Sequence, residues 1–371
     1  MAVVGLGAAG SAALYHLARR GYRVVGIDQF EPPHAFGSST GETRITRKAI
    51  GEGDQYVPLV LRSYDLFREL ERESGESLLA VTGGLWISGP ARKAETHVAN
   101  FFDNTLAAAR RFAIEHEILA PAEIRRRFPQ FDVRDNEAAY YEPGAGYLRP
   151  EACVRAHLAL ARKHGAEIRF NTRIPSLAEV PAARTTILAA GAWLPRFLPP
   201  ATARLFTVTR QVQYWFEVRG APERFMRPNF PVWIWELQER NNVIYGFPSL
   251  DGKSLKMATE QYAKSIDPEP VQPRLAVSEE ETRAIGENLV APYFPSLGPR
   301  CVKAVACLYT ATPDFHFVID RHPERKDVII ASPCSGHGFK HSAAIGEALA
   351  ELATTGRTTL DIGSFSLARF G

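Results

Sequence analysis

Cysteine, tryptophan and methionine are scarce in this chain, at four, five and three in 371 residues. The cysteines, at 153, 301, 307 and 334, form no CxxC pair and no cysteine–histidine set at zinc spacing. A disulfide framework and a structural metal are therefore both disfavoured, and no metal is expected. No apolar run reaches the ~18 residues of a membrane span. No leader precedes the first motif and no SKL-type signal closes the chain, so a reducing, cytoplasmic setting is the expectation. Charge of one sign is not in excess either: 44 Lys and Arg stand against 41 Asp and Glu, a net +3. Without a basic run interleaved with aromatics, nucleic acid is not an expected partner. Internal repeats and low-complexity stretches are absent.

What is present is an ordinary globular composition, 45% hydrophobic and 23% charged. The length suits two domains or one large α/β body that buries a core without crosslinks. The chain opens "MAVVGLGAAGSAALYHLARRGYRVVGIDQF". Val3 and Val4 form a short first strand, as if a few residues preceded Met1, and lead into the GxGxxG spacing of Gly5, Gly7 and Gly10. A helical pattern from Ala8 to Arg20 then stops at Gly21, and a second apolar strand ends at Asp28. That acid follows Gly10 at close to the ~20-residue spacing of a dinucleotide fingerprint. Gly5 permits the tight turn, Gly7 admits a pyrophosphate to the backbone, and Gly10 lets helix and strand approach. The helix N-terminus offers N–H groups to the phosphates, and Asp28 offers a carboxylate to ribose hydroxyls. The fingerprint does not separate NAD from FAD.

Residues 31–54 are a loop rich in Gly, Ser, Thr and Arg, and 56–75 carry apolar residues at helical spacing. "LLAVTGGLWISG" reads as a strand pair about Gly83 and Gly84, and 92–129 as helical and charged. "TTILAAGAWLP" is a buried strand ending in a small-residue turn. Residues 206–250 are strand-rich, and "DVIIASPCSGHGFKHSAAIGEALAELATTG" is strand, glycine loop and helix. The expected fold class is α/β: a Rossmann-type nucleotide domain with an inserted antiparallel β-sheet substrate domain. The expected partition is 1–80, 145–205 and 312–371 for the first, and 81–144 and 206–311 for the second.

In order along the chain, GxGxxG, "GSSTGETRITR", "ILAAGAW", "IYGFPS…LK", "CLYTATPDFHFVID" and "SGHGFK" resemble the monomeric sarcosine oxidase family. Its members are FAD-dependent oxidases of N-methyl and cyclic amino acids, including N-methyltryptophan and pipecolate oxidases, within the D-amino acid oxidase superfamily. The resemblance implies FAD held by Gly5, Gly7, Ala8, Ala9, Gly10, Asp28, Gln29, Ser38, Ser39, Gly41, Thr43 and Arg44. Ile174, Ala190, Gly191, Trp193, Gly336, Gly338, Phe339 and Lys340 complete that implied set. It also implies a covalent flavin bond at Cys307, a stable thioether between the thiol sulfur and a ring methyl carbon. Cys301 and Cys334 read as packing thiols.

By the same resemblance Arg47 and Lys340 bind a substrate carboxylate, for which a planar guanidinium supplies two parallel N–H bonds. Lys256 matches the lysine that promotes reaction with oxygen, Lys253 being its surface alternative, and Tyr245 and Tyr309 match tyrosines lining the substrate face. His337 reads as structural. The chain departs from many relatives in Glu260, where a histidine is common, and in Ser39-Thr40, where a His-His pair is common; Glu260 either suits a larger or cationic amine or points away from the pocket. Trp233 and Trp235 share one strand face, read either as sheet core or as one wall of a roomy pocket. The expected reaction moves a hydride from the C–H beside nitrogen to flavin, giving an imine and hydrogen peroxide. Expected partners are an amine or amino acid and oxygen, met by a monomer. The alternatives are a flavin-linked amine dehydrogenase or desaturating oxidase, and an NAD-linked dehydrogenase.

Overall fold

The computed structural model describes residues 1–90, 97–237, 242–262, 264–269 and 275–371. Short β-branched runs make a six-stranded sheet in the order Val318–His322, Arg325–Ser332, Thr186–Leu188, Ala2–Val4, Val25–Ile27, Glu167–Arg169. All neighbours are parallel except the first pair. Val3, Ile187 and Ile329 are fully or almost fully buried, as strands covered on both faces should be. The helix Ala8–Arg19 lies between Ser342–Thr355 and Pro150–Lys163 over this sheet.

An eight-stranded sheet runs in the order Leu297–Ala311, Thr207–Val218, Ser254–Thr259, Asn242–Gly246, Val232–Leu237, Gly84–Ser88, Ala138–Glu142, Glu117–Leu119. It is antiparallel but for the pairing of Val232–Leu237 with Gly84–Ser88. Alternation sends Trp233 and Trp235 into a core with Phe131 and Phe294, while Ile234 points the other way. A three-stranded sheet of Arg44–Thr46, Gly146–Leu148 and Leu79–Val81 joins the two bodies.

Two expectations are corrected. The strands around Gly83 and Gly84 do not pair with each other; Leu79–Val81 joins the small sheet and Gly84–Ser88 the large one. Within 92–129 the described part is two helices, Phe101–Arg111 and Pro121–Arg127, with the strand Glu117–Leu119 between them, and 92–96 lie outside the described residues. No described helix is long and apolar enough to cross a membrane, and no described cluster of His, Cys, Asp or Glu could hold a metal.

Candidate active site

The parallel strands Ala2–Val4, Val25–Ile27, Thr186–Leu188 and Arg325–Ser332 all run out at one edge of the six-stranded sheet. Their loops enclose a groove with roughly 1500 Å³ of open space. Carboxyl ends of parallel strands are where such sheets bind ligands. Gly5, Gly7, Ala8, Ala9, Asp28, Gln29, Ser38, Ser39, Arg44, Ile174, Ala190, Gly191, Trp193, Gly336, Gly338 and Phe339 all line it. Gly10 does not, because it sits under the turn: a Cβ there would lie 1.8 Å from the Gly5 carbonyl oxygen. A Cβ on Gly7 would meet only the Ser39 hydroxyl, at 3.9 Å, so this backbone is open to an approaching ligand.

Asp28 accepts from the amides of Leu6 (2.7 Å) and Phe30 (2.9 Å), which ties the second strand to the glycine turn. Burial raises its carboxyl pKa, with those two amides opposing. The Ser332 hydroxyl is buried without a partner at the groove wall. A long groove of glycines and short side chains with one acid at its head fits an extended dinucleotide such as FAD.

Arg44, Tyr309, Gly336 and Phe339 also line a second chamber beneath the eight-stranded sheet, with roughly 840 Å³ of empty space that includes its opening to solvent. Its apolar lining is Ile45, Phe101, Ile234, Val243, Tyr245 and Phe247; its polar lining is Arg47, Glu52, His97, Gln213, Lys256, Glu260, Cys307, His337 and Lys340. Four of the charged groups arrive from separate parts of the chain. Arg47 follows the strand Arg44–Thr46, Glu52 lies between Gly51 and Gly53, Lys256 is on Ser254–Thr259, and Lys340 is on the turn Phe339–His341.

Glu52 is the hub. Its Oε2 pairs with Arg47 at 2.5 Å, while Oε1 lies 3.6 Å from Lys340 Nζ and 3.8 Å from both His97 Nε2 and His337 Nδ1. Burial alone would raise its pKa, but Arg47 and Lys340 outweigh that and hold it well below the usual carboxylate value. Burial lowers Lys340 to about 7 against the pull of Glu52. For His97 burial works against the charge, yet Glu260 and Glu52 raise it to about 9. Glu260 bonds His97 Nδ1 at 2.8 Å, so its charge is already matched inside the protein, which weakens the reading of this carboxylate as a partner for a cationic amine.

Lys256 Nζ donates to the carbonyls of Gly41 (2.5 Å) and Thr43 (2.8 Å) and to the Thr43 hydroxyl (3.1 Å). Gly41 and Thr43 thus cradle the lysine and do not line the groove. Burial, with Arg44 nearby, pushes this ammonium well below its ordinary pKa. Arg44 donates to the carbonyls of Ser38, Thr40 and Thr43, bracing the loop. Tyr245 and Tyr309 share a hydroxyl–hydroxyl bond of 3.1 Å. Cys307 is 2% exposed, and its Sγ accepts from the Gln213 amide at 3.3 Å. All four cysteines are free. Cys334 lines the groove and its Sγ accepts from the Thr310 amide. His337 bonds the Phe315 carbonyl through Nε2. Lys253 stays outside the chamber.

Sequence reasoning missed Glu52, His97 and Gln213. Gly41 carries the one trace of Gln213: with φ +103, it has no room for a Cβ, which would meet the Gln213 side-chain oxygen at 2.0 Å.

A family model described as FAD dependent oxidoreductase matches residues 1–352. Monomeric sarcosine oxidase of Streptomyces avermitilis is 40% identical over 376 residues, covering 98% of this chain and 95% of that protein. N-methyl-L-tryptophan oxidase of Yersinia pestis is 34% identical over 382 residues, covering 99% and 98%. Among solved structures, the open form of NikD, an unusual amino acid oxidase essential for nikkomycin biosynthesis, superposes with a TM-score of 0.83 at 21% identity, covering 98% and 96%. L-proline dehydrogenase from P. horikoshii superposes at 0.80 and 22%, covering 100% and 96%. These two likenesses carry the fold.

Proposed function

The chain belongs to the FAD-dependent oxidoreductase family, and from that premise we propose that it is a monomeric FAD-dependent oxidase of a secondary amino acid, N-methyl or cyclic. One observation carries the reading. Arg47 and Lys340 converge on a single buried carboxylate, that of Glu52, in a chamber sharing four wall residues with the dinucleotide groove. Two cations against one carboxylate leave a positive charge over, and both line the chamber, where a substrate's carboxylate would balance it.

In this reading Arg47 and Lys340 fix the substrate's acid group, and the apolar wall of Ile45, Phe101, Ile234, Val243 and Phe247 takes its side chain and excludes water. The Tyr245–Tyr309 pair borders the space between that wall and the groove. No side chain need take a proton if the amine binds neutral. The groove residues named above hold FAD, which supplies hydride acceptance and electron delivery to oxygen. Lys256 is the cation on the oxygen side, and Cys307 tethers the cofactor. The products are an imine, which water hydrolyses, and hydrogen peroxide.

The test is an aerobic peroxide screen of the purified yellow protein across N-methyl, cyclic and aromatic amino acids. Peroxide formed in step with substrate loss is expected. Flavin that a substrate reduces without peroxide would move the reading to a dehydrogenase. Acid precipitation reads the tether separately: the colour stays with the pellet of the wild type and leaves that of Cys307→Ser.

A further inference from the structure

Three side chains form a row across three strands of the large sheet. Trp215 stands opposite Lys256 on one side and opposite Lys303 on the other. Lys256 Nζ lies 5.5 Å from the Trp215 ring and 4.4 Å from that of Phe247, and Lys303 Nζ lies 4.4 Å from the indole. Lys256 and Trp215 are buried, whereas the Lys303 side chain is 46% exposed, so the row leads from the chamber to solvent. Glu42 closes its outer end. One carboxylate oxygen accepts from Trp215 Nε1 at 3.1 Å and the other pairs with Lys303.

Glu42 is also the middle of the turn that cradles Lys256. It holds a left-handed φ of 72°, while the carbonyls of Gly41 and Thr43 on either side accept from the lysine. The amides of Gly41 and Glu42 both donate to Glu151 (2.7 and 3.1 Å). One tripeptide therefore offers its carbonyls inward and its carboxylate outward to the row.

We propose that Trp215 and Glu42 are positioning residues for the reaction with oxygen, holding the Lys256 ammonium charged, dry and fixed in its cradle. The proposal rests on the reading of Lys256 as the oxygen-side cation. Dioxygen takes two electrons from the reduced cofactor, and two protons from cofactor and solvent complete hydrogen peroxide. Negative charge develops on oxygen before those protons arrive, and a preorganised cation in a water-poor site stabilises it. Burying an ammonium favours its neutral form, which would abolish that effect. Three oxygen acceptors and two ring faces oppose the loss. The charged groups facing Lys256 are Arg44, which disfavours its charge, and Glu151 and Glu42, which favour it, with Lys303 beyond the indole; Cys307, once bonded to FAD, carries no charge.

The experiment needs no substrate. FAD-loaded protein is reduced photochemically without oxygen, mixed with air-saturated buffer, and the return of oxidised-flavin absorbance is timed across pH. Trp215→Leu is expected to slow reoxidation about tenfold. Trp215→Phe, which keeps a ring but not the bond to Glu42, falls between it and wild type. Glu42→Gln removes a charge that favours the ammonium, so the pH above which reoxidation fails moves lower. Glu42 is 40% exposed, so this variant tests the proposal even if Trp215→Leu folds poorly. Wild-type rates and an unmoved pH limit in Trp215→Phe and Glu42→Gln overturn the inference. Lys256→Met separates the two claims. If it reoxidises at the wild-type rate, the reading of the lysine fails and the inference falls with it; if it alone is slow, the lysine keeps its role and only the inference falls.

Discussion

The dinucleotide groove and the chamber beneath the large sheet share four wall residues and are built on opposite principles. Much of the groove is backbone, glycine and alanine, and it depends on atoms being absent, as at Gly5, Gly7 and Gly338. The chamber gathers Arg44, Arg47, Glu52, His97, Lys256, Glu260 and Lys340 around one space and depends on every buried charge finding a partner. An added methyl group should therefore harm the groove, and a removed charge should harm the chamber.

The largest effect is expected at Glu52. Glu52→Gln leaves Arg47 and Lys340 facing each other without their shared carboxylate, a loss of about 3–5 kcal/mol of stability for a broken buried pair. Acetate should recover part of it by occupying the vacated place, which thermal unfolding with and without acetate would read. No loss, or no rescue, would mean that the pair is not a prepared carboxylate site.

Next come two glycines in one turn. Gly10→Ala forces a methyl onto the Gly5 carbonyl and is expected to cost about 2–3 kcal/mol as overpacking. Gly7→Ala meets no protein atom closer than 3.9 Å, so the cofactor-free protein should melt as the wild type does while FAD loading falls. Equal stability losses in both would erase the distinction between a packing glycine and a ligand-facing one.

A smaller effect concerns pH. Lys340 titrates near 7 in the free protein, and a bound carboxylate raises that value, so binding takes up a proton above pH 7. Affinity for a carboxylate lacking an amine, such as benzoate, should then fall as pH rises from about 7, by up to tenfold per unit. Titration of the flavin spectrum with benzoate measures this; flat affinity from pH 6 to 9 would remove Lys340 from the carboxylate site.

The smallest contrast lies on one strand. Trp233→Phe should cost about 1–2 kcal/mol with KM unchanged, because that face is core. Ile234→Ala should shift KM and the preferred side-chain size with little loss of stability. The reverse pattern would put the tryptophans in the pocket after all.

The turn from Gly5 to Gly10 and the acid at 28 were legible because they lie in one strand–helix–strand run, whose spacing records them; the rest of the groove came from the family resemblance. Gly41 shows where that legibility ends. It reads as one more loop glycine, and the Gln213 side chain, 172 positions away on the strand Thr207–Val218, fills the space a Cβ would need.

Glu52 reads as a loop acid between two glycines, and His97 as a histidine ahead of a helix. Neither carries a local mark of function. The amino-acid order by itself determined the nucleotide turn, a matter of local backbone geometry, and its motifs carried the family resemblance that implies the roles of Cys307 and the two cations. Tertiary structure alone decided that Glu52 stands between those cations, that His97 takes up the charge of Glu260, and that Trp215 separates a buried lysine from an exposed one. Those are pairings between strands and loops distant in the chain, and the energy of a buried charge depends on what folding brings within a few ångströms of it.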